Sequence, residues 1–162
     1  MSDFNLVTAL AQPAQPESYF HALESLVDQT IGVRLFTLME IDKKRGVARR
    51  CYSNQPEAYP VLGEKPLEVN DWTQWVEEKQ QTFVANSLDE IAAVFGDYEL
   101  IGRLGCESCL NLPIVVAGTV VGTLNCLHEA GHYTPQHVKA AETLKHPGAL
   151  AFLLAANINR GI

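Results

Sequence analysis

Ser108-Cys109-Leu110-Asn111-Leu112-Pro113-Ile114-Val115-Val116, then Ala117-Gly118, then Thr119-Val120-Val121-Gly122-Thr123-Leu124-Asn125-Cys126-Leu127 is the stretch whose reading decides the fold. Two apolar, partly β-branched runs separated by a small residue and a glycine are the strongest hairpin signal in the chain, because a tight turn needs the positive φ that glycine adopts without steric cost. With a two-residue loop Val116 faces Thr119, and the same register carried outward sets Cys109 opposite Cys126, Glu107 opposite His128 and Asn111 opposite Leu124. Side chains alternate along a strand, so Glu107, Cys109, Asn111, Leu124, Cys126 and His128 are expected on one face. Leu110, Leu112, Ile114, Val121 and Thr123 then take the other, which is almost uniformly apolar and should carry the terminal helices. A bulge in the hairpin would flip this assignment.

Downstream, Thr134-Pro135 supplies an N-cap and a proline at the first helical position, and Val138, Ala141 and Leu144 follow on one face. Lys145-His146-Pro147-Gly148 is expected to kink or break that helix, with His146 a helix-terminus residue, before Leu150, Leu153, Leu154 and Ile158 restore the stripe. Upstream, Asp97 can cap a short helix through Leu104, and Ser87-Leu88-Asp89-Glu90 has the spacing of a capping box. Trp72, Trp75, Val76 and Lys79 fit another short helix, capped by Asn70 or Asp71. Asn54 to Asn70 holds Pro56, Pro60, Gly63 and Pro66 and reads as a long connection without regular structure. Val33 to Ile41 and Val47 to Ser53 flank a charged turn and read as a first hairpin. Tyr19, Leu23, Leu26, Val27 and Ile31 recur at helical spacing after Pro16, and Gly32 stops that helix. Residues 1–15 carry little periodic signal and are expected to be a flexible lead-in to one domain over 16–162.

A chain of 162 residues that is 47% hydrophobic has the length of one domain with a real core and needs neither disulfides nor a metal to stay folded. Twelve Lys+Arg against 19 Asp+Glu give a net charge of -7, which repels phosphate backbones and anionic headgroups, so neither nucleic acid nor a membrane surface is an expected partner. The N-terminus has no basic region followed by an apolar stretch, and we expect a cytoplasmic protein with reduced thiols.

The order helix, hairpin, long loop with short helices, central hairpin, C-terminal helix is an α+β plan. Ser108-Cys109-Leu110-Asn111-Leu112-Pro113-Ile114, then Gly118, then Val121-Gly122-Thr123-Leu124-Asn125, resembles the signature of GAF domains. Arg50-Cys51-Tyr52-Ser53 and Pro60-Val61-Leu62-Gly63-Glu64-Lys65-Pro66, followed by Trp72 and Trp75, are similar to stand-alone, single-domain bacterial members. The resemblance implies a GAF-like, PAS-related central antiparallel sheet of about six strands, terminal helices on one face and loops closing over a small-molecule pocket on the other. It also implies a regulatory module that forms homodimers through its terminal helices. Here these would be the Tyr19/Leu23/Leu26 and Leu150/Leu153/Leu154 stripes, with an unidentified metabolite as ligand and no cofactor. With no room for an output domain, such a sensor would act through a partner or be an enzyme.

Tyr52, Tyr59 and Asn111 are candidate hydrogen-bonding groups of that pocket, and Trp72 and Trp75 candidate stacking groups. Lys65, Arg49, Arg50 and Arg103 are the cations nearest the loop side. Cys109, Cys126 and His128 join the ligand-binding set through the expected register. Cys106-Glu107-Ser108-Cys109 is formally C-x-x-C, but it enters a strand and no second pair completes a metal site, so no metal is expected. Free methionine-(R)-sulfoxide reductases are GAF domains that use a thiolate and a resolving cysteine. Cys106, Cys109 and Cys126 are the residues such chemistry would use here, although the cysteine spacing departs from that pattern and Asn125-Cys126 replaces its acidic pair. The third reading is a dimerising adaptor without a ligand, its cysteines only small buried hydrophobes.

Overall fold

Strands β5 (Ser108–Val116) and β6 (Thr119–His128) form the central hairpin of the computed structural model, turning through Ala117 and Gly118, both at positive φ. Residues 2–61 and 63–158 are described; Met1 of the expected lead-in, Leu62 of the Pro60–Pro66 stretch and 159–162 lie outside the described residues. β1 (Leu35–Asp42) pairs with β6 and with β2 (Val47–Ser53), and two short strands, β3 (Lys65–Pro66) and β4 (Phe83–Ala85), complete the edges. The order is β3-β2-β1-β6-β5-β4 with every pair antiparallel, a six-stranded sheet of the α+β plan. Neither edge strand was expected from the sequence: a prolyl dipeptide and a three-residue run are too short to show alternation.

The hairpin register corrects the expectation. Val116 does face Thr119, but a bulge after Ile114 shifts the rest of the ladder, so Cys109 lies opposite Leu127, Leu110 opposite Cys126 and Asn111 opposite Asn125. Leu124, Cys126 and His128 therefore leave the Cys109 face and join Leu110, Leu112 and Ile114, while Thr123 crosses the other way. The physical reason is the apolar pattern itself. The shift lets both strands send their apolar alternates to the helices and their polar ones, Asn111, Thr123 and Asn125, to the opposite side. A second bulge interrupts β1 and β2 between Leu38 and Met39, leaving Cys51 between the ladder residues Arg50 and Tyr52.

One face of the sheet is covered by α2 (Glu17–Ile31), α6 (Pro135–Ala141) and α7 (Lys145–Ile158), and α1 (Ser2–Leu10) packs against α2. Residues 2–10, expected as part of a lead-in without regular structure, thus form a helix, and its Leu6 joins the core with Phe20 and Leu23. The Pro147-Gly148 step does not break the last helix where expected. A 3-10 turn at Glu142–Leu144 takes the bend instead and leaves Pro147 in the first turn of α7, where its missing N–H costs nothing. Gly148 then lets that turn press on the sheet: a Cβ there would lie 2.9 Å from Ile114 and 3.0 Å from Leu124. On the other face lie α3 (Asp71–Thr73) with its π-type continuation Gln74–Glu78, α4 (Leu88–Ala92) and α5 (Tyr98–Arg103). Asn70 caps α3 in a capping box with Thr73, and Ser87 accepts the Glu90 amide at the start of α4. Asp97 makes no capping bond to α5; its carboxylate accepts the Tyr59 hydroxyl proton instead.

Candidate functional site

The two faces differ in how they are filled. Between the sheet and the α3 to α5 side lies a cavity of about 340 Å³, floored by the outward residues of β1, β6 and β5. These floor residues come in cross-strand rows. The first row is apolar, with Cys109 beside Leu127 and Leu127 beside Leu35. The next is polar, Asn111 beside Asn125 and Asn125 beside Thr37. The third holds Thr123 beside Met39, with Arg50 on the far side of Met39. Above them, Trp72 and Phe95 approach edge to face with centroids 6.0 Å apart and form part of the roof.

The polar row is tied into a chain with one direction. Trp72 Nε1–H, which can only donate, reaches Asn111 Oδ1 at 3.0 Å. That fixes Asn111 as a donor from Nδ2, which reaches Asn125 Oδ1 at 2.9 Å; Asn125 Nδ2 in turn donates to Thr37 Oγ1 at 3.2 Å. The chain therefore orients a buried row of amides and ends on the Thr37 hydroxyl. Beside it, Thr123 Oγ1 is fully buried and has no partner among the described residues.

At the β2 side, the Arg50 guanidinium donates to the Pro60 carbonyl at 3.1 Å and lies over the Tyr59 ring, 4.9 Å from its centroid. Burial lowers the Arg50 pKa, with Tyr59 and Asp97 opposing that shift. Tyr59 is pushed up, first by burial and then by its hydrogen bond to Asp97. Glu77, only 6% exposed, also lines the cavity, and burial raises its carboxyl pKa despite the Lys43 ammonium nearby.

Of the residues singled out from sequence, Tyr59, Lys65, Trp72, Cys109, Asn111 and Arg50 line this cavity. The others lie elsewhere. Tyr52 belongs to the helix face, its hydroxyl between Glu24 and His21. Trp75 is exposed outside the cavity, donating to the Thr82 carbonyl beneath the Lys79 ammonium. Arg49 pairs with Glu40, and Arg103 ends α5 away from the cavity lining. Cys126 and His128, moved by the bulge, sit on the helix side. Thr37, Thr123, Asn125, Glu77 and Asp97 were missed. The equality of Asn111 and Asn125 in a hairpin was the one available signal, since two buried amides satisfy each other better than an amide facing leucine.

The expected convergence of three cysteines does not occur. Cys106 and Cys109 lie in the loop-side cluster with Ile101 and Leu127, whereas Cys126 is packed across the sheet with the helix core. All four cysteines are free. Burial is the first cause of a raised pKa for every one of them, taking Cys109 up to about 12. For a metal, His128, Glu129 and His132 bring donor atoms within 4.8 Å of one another. The two imidazoles are stacked with centroids 3.6 Å apart and planes 7° from parallel, so their in-plane lone pairs run side by side instead of converging. Glu129 is already paired with Arg34. The His132 Nε2–H donates to the Ile31 carbonyl at 2.7 Å, a structural use of that ring.

The architecture matches known folds. The solved GAF domain of a two-component sensor histidine kinase from Bacillus halodurans superposes with a TM-score of 0.69 at 13% identity, covering 90% of this chain and 98% of that one. The GAF domain of an Acinetobacter phosphoenolpyruvate-protein phosphotransferase gives 0.69 at 10% identity over 97% and 93% of the two chains. Free methionine-R-sulfoxide reductase from Neisseria meningitidis, solved with its substrate, gives 0.66 at 11% identity over 97% and 89%. At these identities the likeness is one of fold. No curated protein matches the chain. The family model described as GAF domain matches residues 20–152, which span all six strands and the residues that line the cavity, and the chain belongs to the GAF domain family.

Proposed function

We propose that this GAF domain is a regulatory module that senses a small metabolite in the cavity on the loop side of its sheet and works as a cytoplasmic homodimer in signal transduction. One observation carries the reading: a cavity of about 340 Å³ that combines aliphatic and aromatic lining with a row of oriented amides and hydroxyls on its floor and charged groups in its lining, a mixture that suits a polar small molecule. The sensor histidine kinase neighbour supports a regulatory role by its own description.

Thermal-shift screening against a metabolite library tests this, with Met39→Trp as the comparison, since Met39 lies mid-floor and half-buried and an indole there would fill the space. Binding to the native state raises the wild-type melting temperature and leaves the filled variant unmoved. A library that moves neither protein favours the adaptor without a ligand.

Thiol chemistry is the second reading, favoured by Cys109 lining the cavity and by the reductase neighbour. It requires a thiolate, and burial holds the Cys109 thiol protonated at neutral pH. Of its two candidate partners, Cys106 lies in the same loop-side cluster and its thiol is likewise raised by burial, while Cys126 lies through the sheet. Methionine sulfoxide turnover lost in Cys109→Ser would restore this reading.

Of the two expected stripes, the first is occupied within the domain, because Tyr19 and Leu23 are buried in the core and the Tyr19 hydroxyl donates to the Pro147 carbonyl. Leu150 and Leu153 remain exposed on α7 and are the surface we assign to self-association. Leu153→Asp is expected to convert a dimer to a monomer on sizing chromatography; an unchanged elution volume removes this face.

A further inference from the structure

We propose, resting on the cavity being a ligand site, that its ligand carries an anionic, acceptor-only head group, a carboxylate, seated over Met39 against Thr37, Thr123 and Arg50. The direction of the floor chain leads there. Because Trp72 can only donate, each amide in turn is set as acceptor toward Trp72 and donor away from it. Thr37 accepts at the end of the chain, and its own O–H has no acceptor among the described residues. Thr37 is 6% exposed, so that proton faces the cavity and not bulk water. Thr123, fully buried, holds a second unpartnered hydroxyl. Arg50 supplies the charge: no carboxylate lies within ion-pair distance of it among the described residues, and its Nε is without a partner.

The register brings these donors together. Met39 lies between Thr123 and Arg50 in one row, and Thr37 precedes it by one pleat on the same strand and the same face. Neighbouring strands are about 4.8 Å apart, so Thr123 and Arg50 stand about 10 Å apart at the backbone on either side of Met39, a span the long Arg50 side chain and a carboxylate seated over Met39 would bridge together. The acidic groups of the lining do not fill that role. Asp97 is exposed and accepts from Tyr59, and Glu68 is exposed and accepts from Asn70. Glu77 lies on the π-type turn of the α3 side with Lys43 as its nearest cation. Lys65 adds a second positive charge at the rim. The apolar row of Leu35, Leu127 and Cys109, with Ile101 behind it, leaves the rest of the ligand an uncharged body.

Three probes of one shape test the head group: 3-phenylpropionate, 3-phenylpropanamide and 3-phenylpropylamine, titrated at millimolar concentration by amide chemical-shift mapping of the intact chain. The carboxylate is expected to bind about tenfold more tightly than the amide, with the largest shifts at Thr37, Thr123 and Arg50, and the amine more weakly still. Arg50→Gln is expected to erase the preference for carboxylate over amide, and Thr37→Val to weaken carboxylate binding and also lower the ligand-free melting temperature, because the buried Asn125 amide loses its acceptor, whereas Thr37→Ser, which keeps the hydroxyl, is expected to retain the preference. Equal affinities, preference for the amine, or a carboxylate preference that survives Arg50→Gln overturns the head-group assignment while the cavity reading stands. No binding of any probe overturns both.

Discussion

The two faces of the sheet are built from the same strands and solve opposite problems. On the helix face, contacts are so close that glycine is required: a Cβ on Gly122 would sit 2.4–2.6 Å from three ring carbons of Phe152, and one on Gly148 would meet Ile114 and Leu124. On the other face the side chains stop short and leave a cavity of about 340 Å³ floored by amides, hydroxyls and a guanidinium. A protein that only needed a stable core would have packed both sides alike, because voids forfeit dispersion contacts and buried polar groups are tolerated only when satisfied. The difference places the tight packing on one face and, under the function proposed above, leaves recognition to the other.

The sharpest way to break that division is to truncate one residue on each side. Leu124→Ala, at a fully buried helix-face position, is expected to cost about 2–5 kcal/mol in chemical denaturation. Met39→Ala, on the half-buried cavity floor, is expected to cost about 1 kcal/mol. Similar losses would mean that the cavity side is packed as tightly as the helix side. Next in size is Gly122→Ala, whose overlap with Phe152 is expected to destabilise by about 1–3 kcal/mol. Adding Phe152→Leu should recover part of that loss in a double-mutant cycle, and strict additivity would show that the two do not touch.

The smallest effect belongs to the cavity side and depends on pH. Burial raises the Glu77 pKa above its unfolded value, so its carboxyl favours the folded state at pH below the unfolded value and that contribution is lost as pH rises through the folded one. Glu77→Gln is therefore expected to raise the melting temperature modestly at pH 7, with the gain fading as pH falls toward 4. A gain that is constant with pH would mean the charge is not the cause.

Much of the fold was legible because its signals are local. The Ala117-Gly118 turn, the Ser87 N-cap and the Thr134-Pro135 helix start each rest on a few adjacent residues whose backbone needs are known, and each is found in place; the reciprocal half of the Ser87 capping box is not, because the Glu90 carboxylate accepts the Asn86 N–H instead. The site was less legible because one extra residue in β6 moves Cys126 and His128 through the sheet and brings Asn125 and Thr123 to the cavity. Alternation says which residues share a face but not where the alternation slips. Residues such as Glu77 and Asp97 reach the cavity from separate segments of the chain, and no pattern along the chain announces such a meeting. The helix at Ser2–Leu10 was missed for a related reason: its stability comes from Leu6 packing with the core, not from a periodic stripe of its own.

Equilibrium dialysis against a cellular metabolite extract, with mass spectrometry of what each protein retains, tests the central claim most directly. The wild-type domain should concentrate one or a few small carboxylates, and Met39→Trp, folded with an unchanged melting temperature, should retain none of them. Equal retention by both proteins, or none by either, would contradict the assignment of recognition to the cavity face.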